Sequence, residues 1–247
     1  MGSNQIVQLR PGWSMLCHPV AYGFAYHLQN DDPEQVAEFD QFIAACRPEM
    51  VLFDIGSHFG VFSLAALRYG GKNARAIAVD PSPTAARIVT IQARLNNVSN
   101  RLTMVQASVG AHCGTQNMVA AGVLAAGYYV SPSGNHSGGE LTSTREVTLD
   151  SLAEEFGTIP SHIKVDVEGL EVDVLRGGKN VLLASIAPLL FLELHNQMIQ
   201  ARGGDPVETL NLLRDFGYKF FGVDGGPLNN DRILASPLIR IIAKRPE

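Results

Sequence analysis

From Met50 onward the chain alternates short apolar runs with amphipathic stretches of about ten residues, a pattern that predicts strands joined by helices. Strands are expected at Val51 to Ile55, Ala76 to Val79, Leu102 to Gln106, Ile163 to Val167 and Leu189 to Leu194. Helices are expected at Val61 to Tyr69, Pro83 to Leu95, Glu171 to Leu183 and Pro206 to Phe216. Strands separated in this way require right-handed crossovers, so the fold class is α/β with a mostly parallel sheet and helices on both faces. Two last strands, Tyr218 to Val223 and Leu238 to Ala243, have no helical pattern between them and are expected to form an antiparallel pair around Gly225-Gly226-Pro227.

Two regions interrupt the alternation. Residues 1–49 have an extended start, a turn-prone Asn30-Asp31-Asp32-Pro33 and a helix from Glu34 to Cys46 with Val36, Phe39, Phe42 and Ile43 on one side, which reads as an N-terminal cap on a domain spanning 50–247. Within about 110–148, Thr115 to Ala121 and Leu141 to Val147 read as a hairpin insert flanking the flexible tract Ser131 to Gly139.

At 247 residues, 46% hydrophobic and 17% charged, the chain can bury the core of one such domain. Its net charge of −5, with 19 scattered Lys and Arg, gives no footprint for nucleic acid, so a small-molecule partner is expected. Cys17, Cys46 and Cys113 form no C-x-x-C pair, which fits reduced thiols in a cytoplasmic protein. The most apolar segment, Val181 to Leu194, is too short to span a bilayer and is broken by Ser185 and Pro188, so no membrane insertion is expected.

The chemistry gathers at predicted strand ends. Asp54 closes the first strand and opens into Gly56-Ser-His58-Phe-Gly60, where Gly56 allows a sharp turn and Gly60 close packing as the helix begins. This loop departs from G-x-G-x-x-G, so no diphosphate cradle is spelled out. Asp80, ending the next strand before Pro81, is placed to accept from vicinal ribose hydroxyls, or else to cap the helix that follows. A ribose site without a diphosphate cradle points to an adenosyl ligand such as S-adenosylmethionine, with Asp54 on the ammonium side. Ser108, just beyond the third strand, completes the expected cofactor set of Asp54, Gly56, His58, Gly60, Asp80 and Ser108.

A second cluster follows at Lys164-Val-Asp166-Val-Glu168-Gly169-Leu-Glu171 and at Glu193-Leu-His195. Asp166 is expected to face the crevice, while Glu171 and Asp173 read better as helix-dipole acids. A histidine titrating near neutrality suits proton removal from an alcohol, so Asp166, Glu193 and His195 are the catalytic candidates. The same carboxylates, Asp166 and Glu193, are equally compatible with holding magnesium, and the spacing does not decide. His18, His27, His112 and His136 show no partner pattern.

The ordered motifs Phe53-Asp-Ile-Gly-Ser-His-Phe-Gly60, Val79-Asp-Pro81, Leu95-Asn-Asn-Val98, Thr148-Leu-Asp-Ser-Leu152, Lys164 to Glu171, Val174-Leu-Arg-Gly177 and Leu192-Glu193 resemble the FkbM family of S-adenosylmethionine-dependent methyltransferases. The resemblance implies a Rossmann-like class I methyltransferase with a seven-stranded sheet, acting on hydroxyls of sugars or natural-product-type small molecules. His58 stands where the family usually has asparagine, and Asp80 where glutamate is frequent. Rival readings are a nicotinamide oxidoreductase, disfavoured by the loop sequence, and a non-catalytic adenosyl-binding module.

Overall fold

The computed structural model describes residues 3–30, 32–121, 127–129 and 141–246, with side chains left aside at 27–30, 120, 121 and 127–129. The tract Ser131 to Gly139 and His136 lie outside the described residues, as does the side chain of His27. Among the described residues no helix is long and apolar enough to cross a membrane.

The chain opens with an antiparallel hairpin, β1 (Gln5–Arg10) and β2 (Trp13–Cys17), followed by α1 (Pro19–Asn30) and α2 (Pro33–Ala45). Helix α1 departs from the expected extended start. Its buried face is supplied by two alanines four residues apart, Ala21 and Ala25, too small to stand out as an apolar stripe. Then come β3 (Val51–Ile55), α3 (Val61–Tyr69), β4 (Arg75–Asp80), α4 (Pro83–Leu95), β5 (Leu102–Gln106) and the short β6 (Ser108–Val109). The insert holds β7 (Gly114–Ala121), β8 (Gly127–Tyr129) and β9 (Leu141–Val147). The expected β7–β9 pairing is antiparallel, and β8 adds a further strand on β7.

Helix α5 (Leu149–Glu155), unforeseen from its pattern, starts at a reciprocal cap: Thr148 Oγ1 accepts from Ser151 N–H, and Ser151 Oγ accepts from Thr148 N–H. After β10 (His162–Val165), which stops before Asp166, the single helix expected over Glu171 to Leu183 is two, α6 (Glu171–Arg176) and α7 (Lys179–Leu182). The break falls at Gly177-Gly178, where a Cβ on Gly177 would sit 2.1 Å from the Gly110 carbonyl. Asp150 caps α7 by accepting from the Asn180 and Val181 amides. There follow β11 (Leu189–Leu194), α8 (Asn196–Ala201), α9 (Pro206–Asp215), β12 (Lys219–Phe221), α10 (Asn230–Ala235) and β13 (Ile239–Lys244). The antiparallel β12–β13 pair is as expected, but α10 corrects the helix-free connection; Asn229 caps it, accepting from Arg232 N–H.

The main sheet has seven strands in the order β12-β13-β11-β10-β3-β4-β5, parallel except for β13, which runs antiparallel to both β11 and β12. This is the Rossmann-like class I arrangement. Every residue of β3 is buried, as a central strand covered on both faces requires. The N-terminal hairpin, α1 and α2 share one apolar cluster with the α3/α4 face of the sheet: Leu9, Trp13 and Phe42 pack in it with Leu52, Leu64 and Ile88. The strand order reverses between β3 and β10, which places a crevice at their carboxyl ends.

Candidate functional site

The crevice is built by close backbone contact between the loops after β3 and β10. Gly56 adopts φ +75°, and a Cβ there would lie 1.8 Å from the Asp166 carbonyl oxygen. The Gly56 and Ser57 amides donate to Val79 O, and the Asp166 amide donates to Ile55 O. Two residues on, His58 also takes a left-handed backbone, φ +47°, a region asparagine and histidine tolerate better than most side chains. Gly60, φ +75°, then begins α3 with its Cβ position against Val89.

Asp54 Oδ2 accepts from both the amide and the hydroxyl of Ser63, at 3.0 and 2.6 Å, so this acid ties β3 to the first turn of α3. Burial pushes its carboxyl up to about 6. Asp80 accepts from His58 N–H through Oδ2 and from Ser82 N–H through Oδ1, both near 2.9 Å. The cap of α4 is Ser82, which accepts from the Ala85 amide, and Asp80 instead ties the two turns together. Burial lifts the Asp80 carboxyl to about 7. Ser108 is buried and donates to Arg145 O. His58, pushed down to about 4 by burial, is a neutral imidazole stacked on Phe59 and edge-on to Phe24 of α1.

Asp54, Gly56, His58, Asp80, Ser108 and Asp166 line one cavity of about 400 Å³, of ordinary size for a small-molecule site. Gly60 stands behind it, as do Glu193 and His195, which do not line it. His195 is nonetheless close: its Nε2 is 3.9 Å from Asp166 Oδ1. Its Nδ1 lies 2.7 Å from Glu171 Oε1, and Glu171 is fully buried. Burial alone would lower the His195 pKa, but the bond to Glu171 and the charges of Asp166 and Glu193 outweigh it and hold it above the usual histidine value. Asp166 is raised by burial and by the neighbouring Glu193 charge.

Glu193 has partners of its own. Its Oε1 accepts from Lys164 Nζ at 2.9 Å, and its Oε2 lies 3.4 Å from Arg240. Lys164 also donates to Glu38 Oε1 on α2 at 2.9 Å, so a buried chain Glu38–Lys164–Glu193–Arg240 joins α2 to β10, β11 and β13. Burial works against ionisation of Glu193, yet Lys164 and then Arg240 hold its carboxyl well below the usual value. Glu38, Arg240 and the Glu171–His195 pairing escape a reading of the sequence. A lysine within the apolar run Ile163 to Val167 was the one available signal, since a charge in a central strand demands a buried partner.

A seven-stranded sheet of this order with an acid-and-glycine crevice at its switch point defines a class I methyltransferase fold. The ribosomal protein L11 methylase of Lactobacillus delbrueckii subsp. bulgaricus has a similar fold, with a TM-score of 0.51 and 12% identity, over 98% of this chain and 99% of that one. Other similar solved structures are a precorrin-6y C5,15-methyltransferase from Geobacter metallireducens (TM-score 0.48, 15% identity, 84% and 86% covered) and a SAM dependent methyltransferase from Aquifex aeolicus (0.44, 11%, 86% and 93%). A search of curated proteins returned no match. The family model described as Methyltransferase FkbM domain matches residues 54–220, most of the chain. The chain belongs to the FkbM family of S-adenosylmethionine-dependent methyltransferases.

Proposed function

We propose that this enzyme O-methylates a hydroxyl of a sugar or natural-product-type small molecule. The observation that carries this reading is the 3.9 Å gap between Asp166 Oδ1, on the cavity wall, and His195 Nε2 behind it. A hydroxyl oxygen at about 2.8 Å from each atom bridges such a gap, and its proton then faces two acceptors. Of the two, the imidazole can carry the proton away as a cation flanked by Glu171, Asp166 and Glu193. Glu193 supports this role by charge, since its oxygens already face Lys164 and Arg240.

The cavity suits S-adenosylmethionine. Asp80 spends one lone pair on each oxygen and keeps others for ribose hydroxyls; Asp54 adds a carboxylate for an ammonium. When bound, the cofactor supplies a methyl on sulfonium sulfur, already a good leaving group. Alignment of the acceptor is then the larger contribution, roughly 7–11 kcal/mol against about 10²–10⁴-fold for a base. On this reading residues 1–49 act as a cap and 110–148 as an insert on the methyltransferase domain of 50–247; Phe24 and Gln35 of the first and Met118 of the second line the cavity. The net charge of −5 favours a small-molecule acceptor over nucleic acid, and the three unpaired cysteines favour the cytoplasm.

The protein incubated with methyl-labelled cofactor and an extract of its own source should yield a labelled methyl ether. His195→Ala should lower its formation by about 10²-fold or more while cofactor binding persists. Label recovered on nitrogen or carbon, or full turnover by His195→Ala, refutes the reading.

Magnesium has one observation in its favour: Asp166, Glu193 and His195 each offer a ligand atom within 4.8 Å of the others. Against it, Glu193 lies between two cations, and a dication there would displace or oppose Lys164. Label transfer is therefore expected to survive excess EDTA unchanged; its loss, restored by added magnesium, would overturn the metal-free mechanism.

A further inference from the structure

We infer that Glu171 is a positioning residue that fixes the His195 imidazole with its proton on Nδ1 and its free nitrogen, Nε2, turned toward the cavity. This rests on the reading of His195 as the base. Glu171 opens α6, directly after the Glu168-Gly169 turn, in which both residues have positive φ. After this turn the Glu171 carboxylate is fully buried against His195. Its Oε1 accepts from the Gly169 amide at 3.0 Å and meets Nδ1 at 2.7 Å. An oxygen already accepting an amide proton meets the ring as an acceptor again, which makes Nδ1 the donor.

The other oxygen, Oε2, is buried with no hydrogen-bond partner among the described residues, with the Arg202 charge near the carboxylate, so the carboxylate is held there without a hydrogen bond to each of its oxygens. Helix-dipole stabilisation does not require that burial, because an acid in an exposed first turn supplies it equally. The groups facing the ring are Glu171 from α6, Asp166 and Glu168 from the loop after β10, and Glu193 from β11. Among the described residues Glu171 alone is hydrogen-bonded to Nδ1. A ring free to flip would present the protonated nitrogen to the acceptor in part of the population. The buried carboxylate removes that non-productive state.

The test is ¹⁵N NMR of the full chain labelled at histidine, with the His195 signals assigned by their absence in His195→Gln. In the unsubstituted protein His195 is expected as the Nδ1–H tautomer. In Glu171→Gln its proton affinity should fall at least tenfold and the tautomer preference weaken, whereas Glu171→Asp, which keeps the charge, should recover most of both. An Nε2–H tautomer in the unsubstituted protein, or the same tautomer and affinity in Glu171→Gln, overturns the inference. The first of these needs no Glu171 variant to fold. Because none of these readouts involves turnover, they are separate from the His195→Ala experiment: full turnover there refutes the base, and leaves the Glu171 contact to be judged by the spectra.

Discussion

Gly56→Ala should lose S-adenosylmethionine binding and a large part of its stability together. Two costs arise at this position. A non-glycine residue at φ +75° carries about 1–2 kcal/mol of left-handed strain, and the added methyl would lie 1.8 Å from the Asp166 carbonyl oxygen, a distance no relaxation of a side chain can relieve. The obstacle is backbone, so either the loop after β3 or the start of the loop after β10 must move. Both loops line the cavity, and a shift of about 1 Å in such a site can cost roughly 10²-fold in rate. Gly71→Ala separates the two costs, because Gly71 has φ +78° and nothing within 4 Å of its Cβ position. Urea unfolding should show a loss of about 1–2 kcal/mol for Gly71→Ala and at least about 3 kcal/mol for Gly56→Ala. Calorimetric titration should show cofactor binding intact in the first and absent in the second. Equal losses in both would mean that the contact between the two loops does not hold the crevice together.

The same glycine shows what could be read from the chain. A buried strand that ends in an acid and opens on glycines four apart announces a turn and a ligand, because both demands act on neighbouring residues. The parallel sheet was legible for a similar reason: each of β3, β4, β5, β10 and β11 is an apolar run, and α3, α4 and α9 carry a helical period. What stayed hidden depends on small residues or on distant partners. Helix α1 buries alanines, and α10 is only six residues long, set by the Asn229 cap. Glu171 and His195 are far apart in sequence, and the bond between them follows from the sharp turn at Glu168-Gly169, which no periodicity encodes. The acids at strand ends were visible as candidates, but of the three catalytic candidates the cavity wall holds Asp166 alone, with His195 and Glu193 behind it.

Lys164 is the residue whose role was least legible, and its removal has the other large expected effect. Lys164→Met should destabilise the protein by about 3–5 kcal/mol at pH 8, since it deletes one partner of a buried ion pair and leaves charge behind. Arg240 stays within 3.4 Å of Glu193 and 3.7 Å of Glu38, so Glu38, fully buried and with no hydrogen bond to its Oε2 among the described residues, keeps the weaker contact and is the acid left worse off. The pH dependence follows from Glu38. Burial first, and then the Glu193 charge, raise its carboxyl to about 7 even against the pull of Lys164. A carboxyl raised on folding contributes stability that is complete below its unfolded value, near 4.5, and that disappears as pH rises through its folded value. Without Lys164 that folded value climbs further, so the deficit of Lys164→Met should be largest at pH 8 and shrink steadily toward pH 5. In the unsubstituted protein Glu193, held well below the usual range, contributes no change within this window; in Lys164→Met it keeps only Arg240, so its carboxyl rises too and adds to the deficit at the alkaline end. Trp13, the single tryptophan, stacks on Phe39, the residue next to Glu38 on α2, and its fluorescence during urea unfolding reports the docking of that helix. The double variant Lys164→Met/Glu38→Gln should recover much of the loss at pH 8, since it removes the orphaned charge together with its partner. A deficit that is the same at pH 5 and pH 8, and that Glu38→Gln does not reduce, would show that Lys164 stabilises the protein through something other than the ion pair that fastens α2 to the sheet.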